Sequence, residues 1–229
     1  MSQSFTIHIF CLALSAQSYV DMGIKLLCPG HWEEEYRLSL DLYEMSASLS
    51  YMCGDTTKMS GSLDELLAHA KTFEDSLNGA AMLARLLASS HKHNDAITNC
   101  LDILSKLGEE FPPQPDLGVI QSKLSELQPL LLVLTADKMK ALPMMTDKSK
   151  LQAMKFLGML CEFSVRAAPI LLPLLSARMM KLSLQFGFCS DTIVGICYCA
   201  FSMVSFRLEF YLLNLFVKSH SAIICCNAT

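Results

Sequence analysis

The sequence is poor in charge, and this scarcity excludes one large class of function. Only 17% of the 229 residues are charged, and 18 basic against 22 acidic residues leave a net charge of −4. Nucleic-acid binding depends on clustered Lys and Arg that neutralise phosphates. In the densest basic segment, Lys138 to Lys155, Met and Leu separate the lysines. We therefore predict no nucleic-acid partner.

Signatures of catalysis are also missing. The chain has no GxxxxGK[ST] phosphate loop, no Gly-rich, HRD or DFG kinase motif and no Gly-x-Ser-x-Gly elbow. His91 and His93 are interpreted as a solvated loop, because side chains two residues apart on a helix diverge. Cys197 and Cys199 lack the spacing and the second ligand pair of a zinc site, so we interpret them as core thiols. We predict no catalytic, cofactor-binding or metal-binding residues, and hence no enzyme.

Apolar residues, by contrast, are abundant. They make up 52% of the chain, which has ten cysteines. Cys53, Cys100 and Cys161 lie inside apolar helical stretches, where a free thiol acts as a small hydrophobe. The pattern favours reduced thiols and a cytoplasmic location. One alternative remains open, a small membrane-associated protein anchored through residues 192–217, although Thr192–Phe206 alone is shorter than the roughly 20 residues of a spanning helix.

Hydrophobic spacing predicts helices throughout. The first predicted amphipathic helix opens with the acidic run Glu33–Glu35, ends at Gly54-Asp55 and should bury one face with three- and four-residue spacing. That predicted face consists of Leu38, Leu42, Met45, Leu49 and Met52. A capping box of Ser62 and Glu65 predicts the next helix start.

A second helix pair, Leu77–Ser90 and Asp95–Leu107, repeats this hairpin weakly. Such units bury their apolar faces by stacking, so we predict an all-α fold of antiparallel hairpins arranged as a tetratricopeptide-like α-solenoid. The predicted organisation is an atypical segment 1–18, hairpin repeats 19–110, a Pro-rich linker 111–115, a second helical group 116–218 and a disordered tail 219–229. In the second group, Thr146 is predicted as an N-cap and Gly187 as a helix end.

Two blocks of sequence carry a resemblance to a known family. The first runs from Gly23 through Gly30-His31-Trp32 to Asp55, and the second from Leu142-Pro143-Met-Met-Thr-Asp147 to Gly187. Together, over about Tyr19 to Val204, they resemble the helical, tetratricopeptide-like region of large multidomain signalling ATPases. That family couples an AAA (STAND-type) ATPase to serine/threonine-kinase or histidine-kinase parts.

The resemblance implies a regulatory arm that contacts a protein partner or an adjacent ATPase domain. It supplies no catalytic positions, because the family's nucleotide-binding and phospho-transfer residues lie in domains outside this sequence. We therefore expect a fragment of a signal-transduction ATPase or kinase that works by contact. An alternative is that ATP binding or kinase activity belongs to the parent family and is ascribed to this chain only by inheritance from it.

Overall fold

The fold is all-α, as the sequence predicts. The computed structural model describes residues 3–112, 115–132, 141–202 and 204, with only the backbone given for residues 3–10, 128 and 130–132. Apart from one isolated β-bridge between Met144 and Phe188, these residues form helices, turns and loops. The chain divides into two compact units, Met1–Ile103 and Leu104–Thr229, and the division falls within a helix.

Unit 1 contains the first five helices and most of the sixth. They are α1 (Gln3–Leu26), α2 (His31–Glu34), α3 (Tyr36–Cys53), α4 (Thr56–His69), α5 (Phe73–Ser89) and α6 (His93–Lys106). The glutamates Glu33 and Glu34 therefore lie in the short α2 and not at the start of the first helix, because residues 3–26 are already helical.

Polar caps fix the start of α4 and α5. The Asp55 side chain accepts a hydrogen bond from the Lys58 amide, and Thr72 accepts one from the Asp75 amide. Each cap satisfies an amide at the helix N-terminus that has no partner within the helix. The predicted capping box at Ser62 is wrong: Ser62 lies inside α4, where its hydroxyl is buried and 2.8 Å from that of Ser46.

The predicted buried face of α3 is also wrong. Leu38, Met45 and Met52 are about half exposed, whereas the buried positions of this helix carry mainly small side chains. These buried residues are Ser39, Leu40, Ser46, Ala47 and Ser50. α3 packs against α1, α4 and α5. Small side chains allow these close approaches, and the bulky residues of α3 are left outside.

A pair of leucine truncations in unit 1 tests this assignment. Leu40 is 2% exposed and packs in a cluster with Trp32 and Leu66, so Leu40→Ala should cost about 2–3 kcal/mol of unfolding free energy. Leu14→Ala, a matched control on α1 at a site 46% exposed, should cost less than about 1 kcal/mol. Urea unfolding followed by the emission of Trp32, the only tryptophan, measures both. Equal losses would contradict the structure.

Unit 2 contains α7 (Leu117–Leu132), α8 (Lys148–Ala167), a 3₁₀ turn (Pro169–Leu171), α9 (Leu172–Phe186) and α10 (residues 192–202). The predicted N-cap Thr146 is off by one residue, because the Asp147 carboxylate accepts the hydrogen bond from the Lys150 amide. α8 and α9 supply most of the core. Its fully buried side chains include Met154, Phe156, Leu157, Leu160, Leu175, Met179 and Leu182.

Gly187 ends α9, as predicted, and lies where two chain segments pair through their backbones. Its φ is +108°, and the next residue, Phe188, donates its amide to the Pro143 carbonyl at 2.7 Å. The Met145 amide in turn donates to the Phe188 carbonyl at 2.8 Å. These two bonds join the segment before α8 to the segment after α9.

Several predicted segments lie outside the described residues. They are part of the linker at 113–114, residues 133–140, 203 and 205–218 of the second helical group, and the tail from 219 onward. Within the described residues, no helix is both long and apolar enough to cross a membrane. Most of the alternative anchor, residues 192–217, lies beyond them.

Candidate interaction surface

A broad apolar surface on α1 and α3 is the most prominent feature of unit 1 that packing within the unit does not use. Seven large apolar side chains on these two helices are 48–79% exposed. They are Leu12, Tyr19, Met22, Leu26, Leu38, Met45 and Met52, and we call this set the α1/α3 apolar face. Scattered exposed hydrophobic residues are normal, but an extended apolar patch marks an interaction site.

One contact between the helices shows that the two rows of side chains adjoin. A Cβ at Gly23 of α1 would lie 3.2 Å from the Leu42 side chain of α3. Residues three or four apart are neighbours on a helix surface. Gly23 is thus flanked by Tyr19 and Leu26, while Leu42 is flanked by Leu38 and Met45. The rows therefore border the same seam and form one surface.

The sequence reasoning missed this face for two reasons. The predicted boundary after residue 18 separates Leu12 from Tyr19, Met22 and Leu26, although the four recur at helical spacing and carry a detectable signal. On α3 the spacing of Leu38, Met45 and Met52 predicts an apolar row but wrongly places it in the interior. Periodicity identifies an apolar row, whereas its burial depends on which neighbours pack there.

An aromatic cluster around Trp32 packs the short α2 against the core of unit 1. Trp32 is 7% exposed and stacks on His69 with ring centroids 4.6 Å apart and planes 2° from parallel. Its other stacked neighbour is Tyr43, at 5.3 Å. The buried Nε1–H of Trp32 has no hydrogen-bond partner among the described groups. The cluster packs against Leu40 and Leu66, which makes it part of the core of the unit.

A cleft of about 400 Å³ lies along α1, α3 and α4, but its polar groups already bind one another. Lys58 forms an ion pair with Asp21, and the hydroxyls of Ser46 and Ser62 share a hydrogen bond. Burial would raise the pKa of Asp21, yet the hydrogen bonds from Lys58 and Gln17 outweigh it and lower that pKa. The arrangement ties α1 to α4.

Unit 2 has a smaller cleft of about 180 Å³ with a basic rim and an apolar floor that includes Val119 and Leu174. All three cations of the rim already bind carboxylates. Arg178 contacts Glu109, while Lys123 and Lys181 both contact Glu126. An anionic ligand would have to compete with these carboxylates, so the rim is better explained by packing of α7 on α9.

The remaining sequence candidates form no common site. His91 is exposed in a left-handed turn with φ +61°, and His93 is half-buried at the start of α6. Their rings lie edge-on with centroids 6.2 Å apart. Cys197 is exposed and Cys199 is buried, so the interpretation of both as core thiols is half right. Among the described residues, no group of three or more His, Cys, Asp or Glu side chains lies close enough together to hold a metal ion.

Burial separates the thiols into reactive and inert classes. Burial raises the pKa of Cys100 and Cys161 to about 12, so neither forms the nucleophilic thiolate near neutral pH. Exposed Cys28 and Cys197 should therefore react with iodoacetamide at pH 8 in the native chain, whereas Cys100 and Cys161 should react only in urea. Peptide mass spectrometry measures each site. Native labelling of Cys161 at the rate of Cys28 would contradict the burial.

Comparison of the chain with protein-family models, curated proteins and solved structures found no match.

Proposed function

We propose that this chain is a non-catalytic helical-repeat module that acts by protein contact. The α1/α3 apolar face carries the proposal, because a surface of seven exposed large apolar side chains is costly to leave in water and typical of an interface. The two antiparallel helices that form it suit helix-in-groove binding, in which an amphipathic element covers both rows.

The wider setting is part of the same proposal. Sequential packing of α3, α4 and α5 is compatible with hairpins stacked as a tetratricopeptide-like solenoid. The resemblance to signalling ATPases favours a cytoplasmic module beside an ATPase or kinase domain. In that setting the partner is a neighbouring protein domain, and nucleotide chemistry is performed elsewhere.

The function is tested by comparing partner capture between variants that differ only in the face. The purified chain, a Tyr19→Glu/Met45→Glu variant and a Thr57→Glu/Thr98→Glu control are each exposed to extract of the source cells. The control adds the same charge at exposed sites on α4 and α6. Proteins that bind the native chain and the control, and are depleted at least about tenfold by the face variant, would support the proposal.

Identical capture by all three chains, together with the absence of self-association through this face, would contradict it. A second measurement addresses catalysis directly: a fluorescent ATP analogue is titrated into the native chain. We expect no saturable binding up to millimolar nucleotide. Tight binding would overturn the proposal that the chain acts without nucleotide chemistry.

A further inference from the structure

The geometry of the α1/α3 apolar face shows what kind of surface would cover it. On α1, Leu12, Ser15, Tyr19, Met22 and Leu26 are separated alternately by three and four residues. This alternation places side chains along the contact line of paired helices, where they insert between those of a neighbour. The small Ser15 leaves a gap between large residues, and its hydroxyl already donates to the Cys11 carbonyl within α1.

The row on α3 has the same spacing and nearly the same length. It runs Leu38, Asp41, Met45, Ser48 and Met52, again with a small residue between large ones. The rows run in opposite directions, because Gly23 adjoins Leu42 while the earlier Gln17 bonds the later Ser50. A face built from two antiparallel rows of equal length and spacing presents similar features to a copy of itself.

Charge does not oppose such a pairing. Residues 1–20 contain no Asp, Glu, Lys or Arg, so the α1 row is uncharged over most of its length. Asp41 is the charged member of the α3 row, and Arg37 lies 3.8 Å from its carboxylate. Two such faces can therefore meet without a block of like charges.

The size of the face fits as well. Summed over its seven residues, the exposed fractions correspond to roughly 800 Å² of surface, and about 800 Å² per partner is what a standard protein interface buries. The face thus has the size that a dimer interface requires.

From these observations we propose that the α1/α3 apolar face binds the same face of a second copy of the chain. Two copies related by a twofold axis would bring two α1 and two α3 helices together as a four-helix bundle. The four methionines contributed by Met22 and Met45 would fill irregular gaps in its centre. This inference rests on the proposed contact function and names its partner.

Sedimentation equilibrium of the full chain from 1 to 100 µM tests the proposal. The native chain and the Thr57→Glu/Thr98→Glu control should have twice the 25.4 kDa mass of one chain. Tyr19→Glu/Met45→Glu places four carboxylates in the dimer interface and should raise the dimer dissociation constant at least about 100-fold. Circular dichroism checks that each variant retains its helical content.

A photo-crosslinking measurement keeps the proposal testable if the double variant does not fold. Chains carrying p-benzoylphenylalanine at position 19 should form a covalent dimer on irradiation, and chains carrying it at position 57 should not. A monomeric native chain at 100 µM, or equal crosslinking from both positions, overturns the inference. If the chain does not dimerise but captures another protein in a way that depends on Tyr19 and Met45, the contact function stands and the dimer is rejected. If it neither dimerises nor captures a protein through this face, both proposals are rejected.

Discussion

Replacing Arg178 by methionine should lower the unfolding free energy of unit 2 by about 3 kcal/mol, because it removes one of the two cations that bind the buried carboxylate of Glu109. The side chain of Glu109 is 2% exposed and receives hydrogen bonds from Arg178 and, at 3.0 Å, from Lys150. The loss should lie at the low end of the range for broken buried pairs, since Lys150 remains.

The effect should depend on pH in a defined direction. Burial would raise the pKa of Glu109, but the hydrogen bonds and charges of Arg178 and Lys150 outweigh it and hold that pKa below the ordinary 4.5. A carboxyl whose pKa is lowered by folding stabilises the fold above its unfolded value. The difference between the native chain and Glu109→Gln should thus be full at pH 7 and disappear as the pH falls through the lowered pKa.

Urea unfolding monitored by circular dichroism at a series of pH values measures both effects. The matched control is Lys123→Met, which removes a cation from the exposed pair with Glu126 and should leave the midpoint unchanged. Losses from Arg178→Met and Glu109→Gln should not add in the double variant, because they remove one shared interaction. A difference between native and Glu109→Gln chains that stays constant down to pH 2 would exclude this role for the carboxylate.

Gly187→Ala is the second substitution with a large expected effect, about 3 kcal/mol or more. A Cβ at this position would lie 2.3 Å from the Pro143 carbonyl oxygen and 3.1 Å from the Met145 amide nitrogen. Both atoms belong to the backbone that bonds Phe188, so relief requires separating the two segments. The backbone angles of Gly187, φ +108° and ψ −176°, lie in a region that is essentially restricted to glycine and add a strain of about 1–3 kcal/mol for a residue with a Cβ.

Gly108→Ala is the control for a glycine of positive φ without a steric clash. Gly108 also has a positive φ, +80°, but nothing lies within 4 Å of a Cβ placed there. The Gly108→Ala variant should therefore lose only the stability that its own backbone conformation costs a residue with a Cβ. Its thermal midpoint should fall by less than half as much as that of Gly187→Ala. Equal losses would mean that the contact with Pro143 does not contribute.

Much of the local structure could be predicted because its causes are local. Apolar spacing predicts helices, and glycine predicts their ends, as at Gly54, Gly108 and Gly187, all of which have positive φ. The predicted N-caps are wrong where several neighbouring residues could accept the same hydrogen bond from a helix amide. Asp55 and Thr72 cap helices instead of Ser62, and Asp147 does so instead of Thr146, because a hydroxyl or carboxylate caps only where the chain enters the helix.

The candidate surface could be predicted only in part. Heptad-like rows on α1 and α3 are visible in the sequence, but nothing in their spacing distinguishes an interior row from an exposed one. On α3 the buried row is the one with small residues, including Ser46 and Ala47, because α1, α4 and α5 approach closely there. The resemblance to signalling ATPases and the solenoid arrangement stay predictions.

The sequence by itself thus determined the all-helical character of the described residues and several helix ends, since both depend on hydrogen bonds and spacing within a few residues. Tertiary structure alone decided which faces are buried, where Glu109 finds cations 41 and 69 residues away, and why Gly187 admits no side chain. These features depend on contacts between distant segments. Such contacts leave no periodic signal in the chain and exist only once the helices have packed.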